Sequence, residues 1–267
     1  MLNLTTDHPT SKSRLCETSR LSAEIVPRHA LTRSDLRQMY GLLETYFENT
    51  SRRQFDQDLA EKDSVILLRA PDSTVAGFST LMKLTATVQG RSVVGFFSGD
   101  TIIGREHWGS SLLGRMWLRT VFSESDRIHA QSPDQLVYWF LICSGYKTWR
   151  YLPIFFRTYL PHPETCASAF DHEALHSLAA KKFGDEYDSG AGVIRLHRKT
   201  PLRRGVAELT GQRLRDPMVE FFLRLNPGHA GGDELACLAR LSRSNLTSAG
   251  LRLLHAGMEP RAACAIS

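Results

Sequence analysis

Three strand-like runs joined by short turns constrain this chain more than any other feature. Residues 64–69 (SVILLR) are apolar, and Ala70-Pro71-Asp72-Ser73 follows as a turn. Residues 75–88 form a second, longer run. The dipeptide Gln89-Gly90 then reverses the chain, and residues 92–103 run back. Strands connected this tightly pair antiparallel, because a parallel return needs a crossover of about a dozen residues or more. A three-stranded meander is therefore the expected start of the sheet. Within its third run, Gly95 and Gly99 mark a bulge or a close approach of two backbones.

Helical and buried-strand patterns surround this meander. Residues 1–20 are polar and read as a flexible tail, and 22–26 as a short strand. Thr32 is placed to cap a helix in which Leu36, Met39, Tyr40, Leu43, Tyr46 and Phe47 recur at helical spacing. Ser51, with Gln54 three residues on, has the form of a capping box. After the meander a helix is expected over about 109–125, with Leu113, Met116, Trp117 and Val121 on its apolar face. Residues 136–143 (LVYWFLIC) are apolar on both faces, as a central strand requires. Helices follow at 146–150, which Pro153 interrupts, at 164–183, and at 216–225, with Pro217 in its first turn. Residues 193–196 read as an edge strand and 234–241 as a last strand. Beyond 242 the chain is a weakly patterned tail. The expected fold class is α/β (α+β): a mixed, mostly antiparallel sheet flanked by helices, spanning 21–241.

Composition bounds the partners. Of 267 residues, 42% are hydrophobic and 23% charged, enough for a sizeable core. The formal charge of +5 comes without a dense Lys/Arg stripe, so nucleic acid is not an expected partner. No apolar run approaches the length of a membrane span, and the N-terminal segment lacks the apolar centre of a secretory signal. The cysteines, Cys16, Cys143, Cys166, Cys237 and Cys264, are odd in number and show no metal-ligand spacing. That usage fits a reducing compartment. A cytoplasmic chain without membrane insertion is the expectation.

The segment from Gly104 to Gly114 (GREHWGSSLLG) follows a strand and opens a helix. A helix start presents unpaired N–H groups and the positive end of the helix dipole. The small residues Gly109, Ser110 and Ser111 let a phosphate approach those groups, and Arg105 or Arg115 adds charge.

The order of meander, Gly-rich turn, helix, central strand and second helix resembles the GNAT superfamily of acyl-CoA N-acyltransferases. The family's loop pattern, Gln/Arg-x-x-Gly-x-Gly/Ala, falls here on Glu106, Gly109 and Ser111, with an acidic first position and Ser as the second small residue. Trp108-Gly109 is similar to the Trp-Gly of several members. The family's Asn-x-x-Ala-x-x-x-Tyr after the next strand falls on Ser144, Lys147 and Tyr151, of which the tyrosine is retained. The resemblance covers roughly residues 22–160. It implies acetyl-CoA or a longer acyl-CoA as co-substrate, with pantetheine between the strand ending near Ile103 and the strand 136–143. The pyrophosphate would sit on the backbone from Trp108 through Leu112 to Gly114. It implies direct attack on the thioester by a small-molecule, peptide or protein amine. Tyr151 matches the family's general acid, with Tyr146 as the fallback. Asp100 is the candidate base and Glu106 the alternative. A non-catalytic CoA-binding domain shares these features.

One motif points elsewhere. His172-Glu173-Ala174-Leu175-His176 fits the zinc-hydrolase pattern H-E-x-x-H, in which two histidines on one helical face bind zinc and the Glu acts as base. The extended form of that motif would place Gly and His at Ala179 and Lys182, so no third ligand is evident. The expectation is a chain that holds no metal, with a zinc hydrolase as the rival reading.

Overall fold

The computed structural model describes residues 21–164, 167–206 and 215–256, and the meander is its centre. Strands β2 (Ser64–Arg69), β3 (Val75–Val88) and β4 (Arg91–Ile103) pair antiparallel in succession, and β1 (Ser22–Pro27) adds to the outer side of β2. Gln89 and Gly90 both have positive φ, 49° and 75°. This is the two-residue hairpin turn whose twist matches that of the flanking strands.

Helix α3 (Leu112–Gln131) then crosses the sheet and delivers β5 (Leu136–Cys143) parallel to β4. On the far side of β5 lie β8 (Glu234–Arg240), β7 (Val193–Ile194) and β6 (Tyr187–Asp188), all antiparallel. The sheet order is β1-β2-β3-β4-β5-β8-β7-β6. The mixed, mostly antiparallel sheet with flanking helices is the fold class expected from the sequence.

Side-chain alternation along the strands divides the core in two. Val94 and Phe96 of β4, with Trp139 and Leu141 of β5, pack beneath α3, α4 (Tyr146–Trp149), α5 (Tyr151–Phe155), α7 (Pro217–Leu225) and α8 (Ser248–His255). Val93 and Phe97 of β4, with Tyr138 and Phe140 of β5, pack against α6 (Ala169–Phe183). Alongside α6, helices α1 (Arg33–Tyr46) and α2 (Arg52–Ala60) cover Val65, Leu67, Phe78 and Ile102. No helix among the described residues is long and apolar enough to cross a membrane.

Local capping chemistry sets several helix starts. Thr32 Oγ1 accepts from Asp35 N at 3.1 Å, and Asp35 Oδ2 accepts in return from Thr32 N at 3.0 Å. Ser51 caps α2 on one side only, since the Gln54 amide turns instead to Asp58 at 3.0 Å. Asp216 accepts from Met218 N at 2.9 Å, with Pro217 at the helix start.

Other boundaries move from their expected places. Helix α6 begins only at Ala169, because Ser168 Oγ accepts from Asp171 N at 3.1 Å and caps it there. Helix α3 continues to Gln131, since Phe122 keeps its apolar face buried beyond Val121. β7 lies between β8 and β6 rather than at the edge. Beyond 242 the chain makes a turn at Arg243–Asn245 and then α8, which packs on α3 and α5. Asn245 fixes the turn: its Nδ2 donates to Thr158 O and Arg240 O at 2.9 and 3.0 Å, and its Oδ1 accepts from Thr158 N at 2.9 Å. These anchors are polar and distant in sequence, so apolar periodicity does not reveal them.

The end of β4 is held close to β3 at Gly77, where a Cβ would lie 2.8 Å from Ile102 O and 3.1 Å from Ile103 Cα. Both are backbone atoms that cannot turn aside. Gly77→Ala should therefore lower unfolding free energy by about 1–3 kcal/mol, as overpacking does, measured by urea denaturation. An unchanged midpoint would show that this strand end yields freely.

Candidate active site

The site forms where β4 changes partner. On β3 the register advances from Ser79 to Leu81, while on β4 it advances from Thr101 back to Ser98, so β4 carries one extra residue at Gly99-Asp100. This is a β-bulge, at the glycine the sequence marks. Parallel pairing with β5 stops at the same point, with Ser98 opposite Leu141. Past it, β4 stays on β3 out to Ile103 opposite Gly77, and β5 stays on β8, with Cys143 opposite Leu235. The two strands part and leave a notch.

On one face of the notch lies the start of α3. Gly104 N donates to Ala76 O at 2.8 Å and ends the β3–β4 ladder. A tight turn over Arg105–His107 follows, and Ser110 N donates to His107 O at 2.9 Å. Helix α3 is 20 residues long, yet its N-cap Ser111 makes no side-chain cap and no acidic residue stands in the first turn. Its N-terminal N–H groups, including those of Leu113 and Gly114, have no carbonyl partner inside the helix. A Cβ at Gly109 would meet nothing within 4 Å. Gly109, Ser110, Ser111 and Gly114 line a cleft of about 470 Å³ together with Tyr151 of α5 and Arg252 of α8. Beneath it, Ile103 and Leu112 pack on the core under α3.

Trp108 folds back over the strand end. Its indole Nε1 donates to Ile103 O at 2.8 Å, and its ring lies 4.3 Å from Lys147 Nζ and 5.4 Å from the Arg105 guanidinium. Glu106 is exposed and lies 3.5 Å from His107 Nε2, turned toward Gly104.

The other face of the notch carries charge. Burial pushes the Asp100 carboxyl above its ordinary pKa, against the pull of Lys62. Glu234, the first residue of β8, accepts from Ser144 Oγ at 3.0 Å. Burial pushes its pKa up to about 7, with Ser144 opposing the rise and Asp100 adding to it. The two carboxylates thus influence each other across the notch, and Glu234 titrates in the range of a neutral-pH general base. Lys62 is buried beside the bulge, and burial draws its pKa down. Lys182 of α6 is paired with Glu61 at 2.5 Å.

The structure sorts the sequence candidates. Tyr151 reaches the cleft with Gly109 and Ser111, and burial raises its pKa, so its hydroxyl stays protonated. Tyr146 is buried instead, and its hydroxyl donates to Asp216 Oδ2 at 3.4 Å, tying α4 to α7. Ser144 serves Glu234. Asp100 belongs to the notch, whereas Glu106 stands outside it on the loop. Glu234, Lys62 and Arg252 escaped sequence reasoning. The one signal for Glu234 was a lone acid at the head of an apolar strand (ELACLA).

The HEALH segment forms part of α6 with no metal geometry. His172 and Glu173 are exposed, and Glu173 accepts from Gln89 Nε2 at 2.9 Å. His176 Nδ1 lies 2.6 Å from the Tyr187 hydroxyl. Among the described residues, no group of three or more His, Cys, Asp or Glu could hold a metal ion. The two histidines therefore lack the further ligands a zinc site needs, and the hydrolase reading has no support. Cys143 and Cys237 are buried free thiols with sulfurs 3.9 Å apart.

No family model matches the chain, and no curated protein matches it. Solved structures do. A protein from Enterococcus faecalis V583 described as a probable N-acyltransferase is 12% identical, with a TM-score of 0.39 over 52% of this chain and 33% of its own. This chain thus spans about a third of that protein's length. The GNAT family N-acetyltransferase YhbS from Escherichia coli, solved with CoA, is 14% identical, with a TM-score of 0.34 over 55% of this chain and 71% of its own. Glucosamine-6-phosphate N-acetyltransferase from Arabidopsis thaliana is 16% identical, with a TM-score of 0.33 over 49% of this chain and 88% of its own. The chain is similar to these acyl- and acetyltransferases over about half its length.

The Glu234 shift makes a stability prediction. A carboxyl whose folded pKa is raised favours the folded state while protonated, and that contribution is lost as pH rises from about 4.5 through about 7. Glu234→Gln should therefore match the wild type near pH 4 and exceed it at pH 8 by about 3 kcal/mol at most, in urea titrations at both values. An equal difference at both pH values would mean that Glu234 ionises normally.

Proposed function

We propose that the chain is an acyltransferase that moves an acyl group from acyl-CoA to an amine. One observation carries this reading: the notch between β4 and β5 has on one face a helix start whose N-cap Ser111 makes no side-chain cap, and on the other two half-buried carboxylates. The motif spacing of Gly109, Ser111 and Tyr151 supports it independently.

The residues on the α3 face suit a CoA. Small side chains leave the backbone approachable at Gly109, Ser110 and Ser111; Leu112 N donates to Ser110 Oγ at 3.2 Å, and the next N–H groups of α3 suit a pyrophosphate. Arg252 lines the same cleft, with Arg105 and Arg115 on the neighbouring backbone. When bound, acyl-CoA supplies an acyl carbon activated as a thioester with a thiol as leaving group.

The chain's own residues manage the protons. Glu234 takes a proton from the acceptor amine, which must be neutral to attack the acyl carbon. Ser144 holds Oε1 of that carboxylate and thereby orients it. Burial keeps Glu234 basic, and like-charge repulsion from Asp100 adds to it. Tyr151 gives a proton to the departing sulfur. The C–N bond forms, the C–S bond breaks, and no covalent enzyme intermediate is needed.

Thermal unfolding with acetyl-CoA and longer acyl-CoAs tests the reading. A ligand at about a hundred times its Kd adds about 2.7 kcal/mol and raises Tm. No shift with any CoA species at millimolar concentration would sink it. In a thiol-release assay, Glu234→Gln should lower kcat by about 10²–10⁴. Tyr151→Phe should lower kcat while leaving the CoA-induced shift intact. If that variant loses the shift instead, Tyr151 is a packing residue.

A further inference from the structure

Two polar groups beside the bulge have no hydrogen-bond partner. Lys62 is 6% exposed, and its ammonium makes no hydrogen bond or ion pair in the described structure. The Phe97 ring lies 5.1 Å from it. Thr80 is 1% exposed, and its hydroxyl is buried without a hydrogen-bond partner. Both converge on one point: a Cβ at Gly99 would lie 2.6 Å from Thr80 Oγ1 and 3.2 Å from Lys62 Cε. The absent side chain at Gly99 is what leaves them room.

Leaving a buried hydroxyl unsatisfied is costly, and native structures pair such groups. Lys182 shows the alternative, because it stands on the same face and is neutralised by Glu61. Lys62 makes no such direct pair, although Asp100, Asp58 and Glu61 attract it through space and Lys182 repels it. Asp100 also acts on Glu234. Asp100 follows Gly99 directly in the bulge, so it stands beside the point where Lys62 and Thr80 meet.

We propose that Lys62 and Thr80 form a subsite for the carboxylate of the acceptor, so that the amine substrate is an amino acid. This rests on the acyl-transfer reading above and names its acceptor class. One ammonium and one hydroxyl donor match a single carboxylate. A phosphate dianion would meet greater repulsion from Asp58 and Asp100. With its carboxylate on Lys62, an amino acid presents its ammonium toward Asp100 and Glu234, and Glu234 removes the proton before attack.

Two measurements test this. In thiol-release assays with acetyl-CoA, alanine, leucine and phenylalanine are compared with ethylamine, isopentylamine and phenethylamine. Each amino acid should exceed its decarboxylated partner at least tenfold in kcat/KM. Lys62→Met should reduce that ratio to near one, mainly through KM, and Thr80→Val should reduce it in part. Equal use of the paired amines, or an unchanged ratio in Lys62→Met, overturns the proposal and leaves acyl transfer standing.

The second measurement needs no turnover. By calorimetry, N-acetyl-alanine, N-acetyl-leucine and N-acetyl-phenylalanine should bind at least tenfold more tightly than the N-acetyl derivatives of the three amines. Lys62→Met, confirmed as folded by its melting curve, should lose the difference. Should acetyl-CoA give no thermal shift, the acyl-transfer reading fails on its own, while this comparison still decides the carboxylate subsite. No preference for the carboxylates here overturns it.

Discussion

The change of partner by β4 at Ser98 is the constraint on which the site depends. A parallel pair in a sheet normally continues until one strand ends. Here both strands go on, but each remains bonded to its other neighbour, β4 to β3 and β5 to β8. The bulge at Gly99-Asp100 makes the divergence possible, because an extra residue bends the strand that carries it. Backbone and side-chain polar groups facing the notch lose the partners a continuous ladder would supply. That is why charged and hydroxyl side chains are found in the middle of the sheet, beside the apolar positions of β4 and β5.

The two faces of the notch acquire opposite character from different sources. On the α3 face the positive potential belongs to the backbone, since the helix start has no acid in its first turn. Side chains supply the charge on the α2 and α6 face: Asp58, Lys62, Asp100 and Lys182 arrive from a helix, the turn after it, the bulge and another helix. On the proposed reading, a phosphate-bearing group and an amine acceptor would thereby approach from opposite sides of one opening. Trp108 borders that opening, its indole on the last carbonyl of β4 and its ring between Arg105 and Lys147.

Local signals in the sequence were reliable because local chemistry produces the corresponding structure. The Gln89-Gly90 hairpin, the Thr32–Asp35 cap, Pro217 in the first turn of α7 and the bulge glycine are each decided by a few adjacent residues. The remainder depends on pairing over distance. Ser144 and Glu234 are 90 residues apart, and nothing near either predicts their contact. Lys62 follows a polar helix and reads as surface, yet the approach of Gly99 buries it. HEALH fails for the converse reason: its spacing is right, but the other strands and helices bring it no further ligand.

Burial has opposite consequences for the two groups that would handle protons. Removing a carboxyl from water disfavours its charged form, and so moves Glu234 from an ordinary acid value up to about 7, where ionised and neutral forms interchange freely at neutral pH. The same desolvation applied to the Tyr151 phenol carries an already high value further up, and so holds the proton in place. A base must release what it has gained, and an acid must keep its proton until a stronger base appears beside it. A departing thiolate is such a base only if solvent does not reach it first. One physical term, exclusion of water from a notch where two strands part, therefore sets both groups for their roles without requiring a charged partner for either.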